Sequence, residues 1–298
     1  MAGRKKQDPP PRPKRAVSAA GHEAKQELTH TDIQQASARV DPELRRRSEL
    51  LWDDRAQATR GPKAAQTPDD VIQAAVRIAD EKGLSALTMH ALATQLGFTT
   101  MAVYRYFPSK DALYDAIVDA GLGHPPRPAT PREDWRTEVT QWAHAKQEML
   151  CARPWLAELP FVAAPHGPNW LRWLEALAAS LSRAQLTPAD VGQMLSVIDG
   201  YTRGASDTAI SLARVRARGE SVEAWAAAVG ADLGRAIGDA RFPTFATILT
   251  TPAEGAPRTM TESFDFGLQR VLDGIELYVK SATTSSGQTL NEQTKVSD

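Results

Sequence analysis

LTMHALATQLGFTTMAVYRYFPSKDALYDAIVD, residues 87 to 119, decides the fold. It divides into two short helical pieces broken at Gly97 and a third helix reached through Pro108, with almost no charge on the second piece. Thr88 stands where a side-chain oxygen caps the first piece, whose Leu92, Ala93 and Leu96 share one apolar face. Gly97 supplies the positive backbone angle that the tight turn needs. Thr99 then caps a very short helix, residues 100 to 106, in which Ala102, Val103 and the following Phe107 face inward. Thr100, Met101, Tyr104, Arg105 and Tyr106 are left outward, although Tyr106 alone fits a half-buried packing residue with a wet hydroxyl equally well. Hydroxyls for phosphates, a guanidinium for guanine and apolar groups for thymine methyls point to a helix-turn-helix DNA reader. Ser109 caps the next helix, and the free amides there, with Lys110 beside them, make a seat for a phosphate.

Upstream, Thr67-Pro68-Asp69-Asp70 opens a firm helix with a capping hydroxyl, a pre-set proline angle and acidic residues in the first turn. Its buried face is Val71, Ile72, Ala75, Val76, Ile78 and Ala79, and Gly83 stops it as a left-handed cap. Residues 31 to 52 are weakly helical, with a break at Asp41-Pro42, and read either as a marginal solvated helix or as a basic arm along a DNA backbone. Arg55, Arg60 and Lys63 are the arm's best candidates, placed just before the first firm helix. Residues 1 to about 30 carry too few large apolar side chains to order themselves.

The chain has 298 residues, 42% apolar content and a net charge of -1, enough for a real core and for one large or two ordinary domains. The charge is uneven. Arg4, Lys5, Lys6, Arg12, Lys14 and Arg15 face Asp8 alone in the opening fifteen residues, and Arg45, Arg46 and Arg47 form a second basic cluster. The single cysteine, Cys151, excludes an intramolecular disulfide framework and a cysteine-rich zinc site. With no signal-peptide core and no apolar run long enough to span a bilayer, the reading is a cytoplasmic protein with no membrane partner.

Residues 67 to 119 resemble the first four helices of the TetR family of bacterial transcriptional regulators without a gap. The Tyr-Arg-Tyr-Phe ending of the short helix and the Pro-Ser-Lys-Asp that follows carry the likeness beyond a generic helix-turn-helix. The resemblance implies that Thr88 and His90 contact the DNA backbone, that Thr99, Thr100, Met101, Tyr104, Arg105 and Tyr106 meet bases or phosphates, and that Lys110 clamps a phosphate. His90 stands where relatives often carry arginine, so its phosphate contact would be weaker while it is neutral near pH 7. LLWDDRAQATRGPKAA, from Leu50, also looks like the leader that precedes this domain in many members, with Arg60 and Lys63 inside it.

Gly121 to Pro131 is a proline-rich break, so the reader ends near Ala120. The remainder is helical again: residues 136 to 151 with Val139, Trp142, Ala143, Lys146, Met149 and Leu150; residues 169 to 181 with Trp170, Trp173 and Leu177; and a long helix from Thr187-Pro188 towards Arg218 and Gly219. Asp199, Arg203 and Asp207 recur at four-residue spacing, as an ion-pair ladder, a dimer contact or a polar strip in a cavity. Residues 221 to 257 read poorly, and residues 262 to 281 form the last firm helix before a Ser/Thr/Gln tail. FDFGLQRVLDGIEL, GPNWLRWLEAL and IDGYTRGASD resemble, more loosely, the C-terminal domain of tetracycline-repressor-like members, in which the long and final helices pair with their twofold mates while the other helices enclose a ligand.

The expectation is an all-α protein: a basic, largely disordered extension over 1–60, a three-helix helix-turn-helix domain with its connecting helix over 61–120, a helical ligand-binding and dimerisation domain over 121–284, and a disordered tail over 285–298. It would act as a homodimeric repressor on double-stranded DNA carrying a palindromic operator, released by a small apolar or aromatic effector. Trp142, Trp155, Phe161, Trp170 and Trp173, with Asp199 and Arg203, are the candidate effector residues. A regulator with no small ligand, including an activator or co-regulator, stays open, as does an enzyme with a borrowed reader. Against the enzyme, Cys151 has only His144 at helical spacing, and His144, His166 and Asp199 show neither triad nor metal spacing. No cofactor and no protein-held metal are implied, although a tetracycline-like effector would bring its own magnesium ion.

Overall fold

The computed structural model describes residues 41–52, 67–126, 134–158, 166–252 and 259–295. Among them are eleven α-helices: α1 (Pro42–Trp52), α2 (Pro68–Lys82), α3 (Met89–Leu96), α4 (Thr100–Tyr106), α5 (Lys110–Leu122), α6 (Trp135–Ala152), α7 (Pro168–Ser182), α8 (Pro188–Ala217), α9 (Val222–Gly234), α10 (Pro243–Thr250) and α11 (Met260–Lys295). No strand occurs among the described residues, and none of the helices there is long and apolar enough to cross a membrane.

Local chemistry sets the helix starts. The hydroxyls of Thr67, Thr88, Thr99, Ser109 and Thr187 each accept an amide from the first turn that follows, and Asp134 does the same for α6. Each such cap contributes about 1 kcal/mol, because it satisfies an amide that the helix itself cannot. Thr67 and Asp70 form a reciprocal capping box. Gly97 ends α3 in the left-handed region at φ 69, ψ 27. Gly83 also has positive φ, but its ψ of 163 lies outside the left-handed helical well, because a short 3-10 turn at Leu84–Ala86 follows directly.

α2, α3 and α4 close over Val71, Ile72, Leu87, Leu92, Val103 and Phe107, all buried. The same apolar cluster continues through Leu113 and Ile117 of α5 into Val139, Trp142, Trp173, Leu177, Ile198, Leu268 and Leu272 of the later helices. α11 is fixed to α6 by Arg136, which donates to Gln269 and pairs with Asp273 and Glu276, and by His144 Nε2 at 2.8 Å from Asp265. It meets α8 where the Tyr201 hydroxyl donates to Phe264 O at 2.6 Å; Gly267 permits that approach, since a Cβ there would overlap the phenol.

Three expectations change, and one segment left open takes shape. The extension to residue 60 contains a packed helix: α1 buries Leu51 and sinks Arg47 against α5, so tertiary contacts order a segment that its own composition would not. The terminal helix runs on to Lys295 where a disordered tail over 285–298 is expected, because extending a formed helix adds a hydrogen bond per residue without a new nucleation cost. α5 ends at Leu122, with Gly123 at φ 58 as its cap, two residues beyond Ala120. The poorly read residues form α9 and α10, in which no residue is buried although both are rich in apolar side chains. Arg55, Arg60, Lys63 and Phe161 lie outside the described residues.

Candidate nucleic-acid interface and its connection to the C-terminal helices

The turn at Gly97 and the caps at Thr88 and Thr99 present α4 with Val103 buried and its opposite face to solvent. Met101 is 74% exposed and Tyr104 41%, and Thr88, His90, Thr99 and Arg105 are exposed beside them. Such exposure of a methionine and a tyrosine on a seven-residue helix has no packing purpose, and it fits reading of thymine methyls and phosphates. Thr100 is half-buried at the start of α4. Tyr106 is half-buried too, its ring stacked on Phe98 with centroids 6.3 Å apart, which makes it a packing residue at the edge of the face.

Lys110 opens α5 and is exposed, its ammonium 5.0 Å from the centre of the Tyr114 ring. The Tyr114 hydroxyl raises the lysine's pKa. One turn further, Asp115 is almost wholly buried and takes a two-pronged bond from Arg47, Nε to Oδ2 at 2.6 Å and Nη2 to Oδ1 at 2.8 Å. Burial pushes the Asp115 carboxyl up, while the Arg47 guanidinium pulls it back down.

The far end of α5 is gripped from two sides. Asp119 Oδ1 accepts the amides of Asn169 at 2.9 Å and Trp170 at 3.0 Å, capping α7, and Asn169 Nδ2 returns a bond to Asp119 O at 3.0 Å. A carboxylate in the last turn of its own helix is unfavourable, and at the first turn of another it is favourable. Trp155, on the short turn after α6, fits against Gly121 and donates from Nε1 to Asp80 Oδ1 on α2 at 2.7 Å. Arg153 completes that corner through Gly121 O and Asp80. Trp173 Nε1 donates to Leu122 O at 3.1 Å. A cleft of about 530 Å³ opens beside this joint between Lys82, Ser85, Trp155, Glu158, Arg214 and Arg218.

Behind the joint, Lys146 is 4% exposed, its ammonium 5.3 and 5.2 Å from the ring centres of Trp142 and Trp173 and 3.3 Å from Asp199 Oδ1. Burial pushes the Lys146 pKa down, opposed by Asp199 and assisted by Arg203. Asp199 therefore faces Lys146 on α6, with its Oδ1 buried against the ammonium. Trp142 Nε1 donates to Trp173 O at 2.9 Å, and the two indoles meet edge to face. A smaller cleft of about 160 Å³ reaches Trp142 between Pro126, Gln141 and Ala176, beside buried Glu138, which binds Ser180 and Arg183. Trp170 stacks on His166 at 3.8 Å.

The candidate effector residues are thus brought together only in part: Trp142, Trp173, Asp199 and Arg203 surround Lys146, whereas Trp155 belongs to the α2 and α5 joint. Cys151 is half-buried, and burial pushes its thiol up, the opposite of an activated nucleophile. Sequence reasoning missed Asp115, Asp119, Asp80 and Lys146 as site residues. Asp119 had a signal in its unfavourable place at a helix end, and Lys146 in its place on an apolar stripe.

Residues 71–117 match the family described as bacterial regulatory proteins, tetR family, and residues 127–279 match the tetracyclin repressor-like C-terminal domain. The chain is similar to the HTH-type transcriptional repressor DrrR1 of Streptomyces coeruleorubidus, 32% identical over 240 residues that cover 80% of this chain and 87% of that one. Among solved structures it is similar to a possible TetR family transcriptional regulator from Streptomyces coelicolor A3(2), with 25% identity, a TM-score of 0.52 and coverage of 71% of this chain and 99% of that chain. It shares its fold with the Streptomyces coelicolor protein ActR, crystallised in complex with actinorhodin, at 20% identity, a TM-score of 0.60 and coverage of 72% of this chain and 99% of that chain.

Proposed function

The chain belongs to the TetR family of bacterial regulatory proteins and is a DNA-binding transcriptional repressor; from that premise we propose that it acts as a homodimer on a palindromic operator and is released by a small effector. The observation that carries the reading is the exposed α4 face of Met101, Tyr104 and Arg105, held by buried Val103 and Phe107. Thr88, His90, Thr99, Thr100 and Lys110 place the protein on the phosphates around it. Residues 61–120 serve as the reader and residues 121–284 as the effector and dimer part.

Few base contacts fit on one short helix, so two copies are needed for useful specificity. The homodimer is supported by α8 and α11, where Val197 is 47%, Phe266 46% and Leu277 70% exposed. Paired through these faces, two α4 helices meet successive major grooves about 34–36 Å apart or a multiple of that. An effector releases DNA only by favouring a dimer geometry that no longer matches this spacing.

The effector is supported by Lys146, a buried ammonium inside an aromatic wall, paired with the partly exposed carboxylate of Asp199. A buried ammonium with one partly solvated partner costs desolvation that an apolar residue would not, which fits a binding anchor. The second reading, a repressor with no small ligand, is favoured by the indole N–H groups of Trp142, Trp155 and Trp173, which already have internal acceptors. Tryptophan fluorescence decides between them. Saturable quenching by a compound that also releases DNA, lost in Lys146→Met, supports the effector; no such compound across an aromatic library supports the second reading.

A further inference from the structure

We propose that α1 is a strap that sets the DNA reader, with Arg47 as a positioning residue for operator binding; the proposal rests on the DNA-reading role of α4. The helix lies outside both family segments, which cover 71–117 and 127–279. It nonetheless makes the most deeply set arginine–carboxylate contact on the reader: Arg47 forks onto Asp115, whose side chain is 3% exposed, with Asp111 at 4.0 Å from the same guanidinium. Five residues on, the Trp52 indole N–H donates to His166 O at 3.1 Å. His166 adjoins Gly167 and Asn169, the residues seated on Asp119.

α1 therefore runs alongside α5, with Arg47 beside Asp111 and Asp115 and Trp52 beside the segment that meets Asp119. One end holds α5 near Ser109 and Lys110, where the phosphate seat lies, and the other holds the turn before α7. A planar fork fixes both position and rotation of its carboxylate, which a single point charge does not. Asp115 is pushed towards its neutral form by burial, and only Arg47 offsets that push strongly. Without Arg47, α5 either carries a protonated Asp115 that nothing orients or turns the carboxylate towards water. Either change shifts Ser109 and Lys110 relative to α4, so that the lysine keeps its charge and still reaches a phosphate but out of register with the bases under α4; specific recognition is lost while the count of phosphate contacts is not.

The test uses the full chain with DNA from its own upstream region and unrelated DNA of equal length, comparing wild type with Arg47→Ala, Arg47→Lys, Asp115→Asn and the Arg47→Ala/Asp115→Asn pair. Active protein is counted by stoichiometric titration, so a folding defect does not enter the Kd. Arg47→Ala weakens specific binding about tenfold, within the usual range of coupling between sites. Unrelated-DNA binding and the salt slope stay at wild-type values, Arg47→Lys does not restore affinity, and the double variant is no worse than Arg47→Ala. Wild-type Kd per active Arg47→Ala dimer overturns the proposal. So does a salt slope reduced by about one together with weaker unrelated-DNA binding, the mark of a direct phosphate contact. If wild type itself prefers no site in the upstream DNA, the reader role fails and the strap falls with it.

Discussion

Gly167 leaves the space that the carboxylate of Asp119 fills: a Cβ on residue 167 would overlap Asp119 Cγ and Oδ1. The φ of Gly167 is -87, so the demand is for room and not for an unusual backbone. Through that gap the last turn of α5 caps α7 and joins the reading end of the molecule to the C-terminal helices. Gly167→Ala should destabilise the fold by about 1–3 kcal/mol, the ordinary cost of overpacking. Asp119→Ala removes Cγ and Oδ1 but keeps its own Cβ 2.8 Å from the added one, so adding Gly167→Ala to Asp119→Ala should cost less than it costs wild type without becoming neutral. Urea denaturation of the three variants checks the relation.

The exposed face of α4 and the seat at α5 should separate in their dependence on salt. Lys110→Ala is expected to weaken binding to all DNA alike and to lower the salt slope by about one, since one phosphate contact is lost. Arg105→Ala should cost about 1–3 kcal/mol on the operator and relax specificity at a guanine. Competition titrations at several salt concentrations, against operator and scrambled DNA, distinguish the two patterns.

Among the described side chains of α11, Leu277 is the most exposed large apolar one. Leu277→Asp should place a charge in the proposed twofold interface, convert the dimer to monomer in sedimentation equilibrium and reduce operator affinity at least tenfold, as lost pairing of two half-sites requires. A monomer–dimer balance equal to wild type would move the interface elsewhere.

Arg47→Ala should also change how stability depends on pH. Burial raises the Asp115 carboxyl above its unfolded value of about 3.9, and the bond from Arg47 draws it back. Removing Arg47 lets the folded value climb further, so the folded state holds a proton that the unfolded state releases. Stability then falls as pH rises through the window above about 3.9, and the variant's deficit widens from acid to neutral. A loss of about 2 kcal/mol at pH 7, shrinking towards pH 4.5, is expected for two bonds to a buried carboxylate. Paired urea titrations at the two pH values measure it.

The parts legible in the sequence are those whose partners lie within one helical turn. Thr67, Thr88, Thr99, Ser109 and Thr187 were readable as caps because a side-chain oxygen and the amide it meets are three residues apart. The inward Val103 and Phe107 and outward Met101 and Tyr104 followed from helical spacing. The joints were not readable, because their partners are distant: Arg47 with Asp115, Asp80 with Trp155, Asp119 with Asn169, Lys146 with Asp199. Nothing in local spacing distinguishes an indole that walls a pocket from one that locks two helices. By spacing alone Trp155 therefore groups with Trp142 and Trp173, and Lys146 is one member of an apolar stripe.

In the proposed function two α4 faces, one from each copy, read a palindrome together. The most direct measurement is a footprinting titration of the purified chain on DNA upstream of its own gene, run beside Tyr104→Ala/Arg105→Ala. Expected are one saturable protected site with twofold sequence symmetry, centres of its halves separated by about 34–36 Å or a multiple, and no protection by the double variant at the same concentration. Protection that is unchanged in the double variant, or that spreads along the DNA with no preferred site, would contradict it.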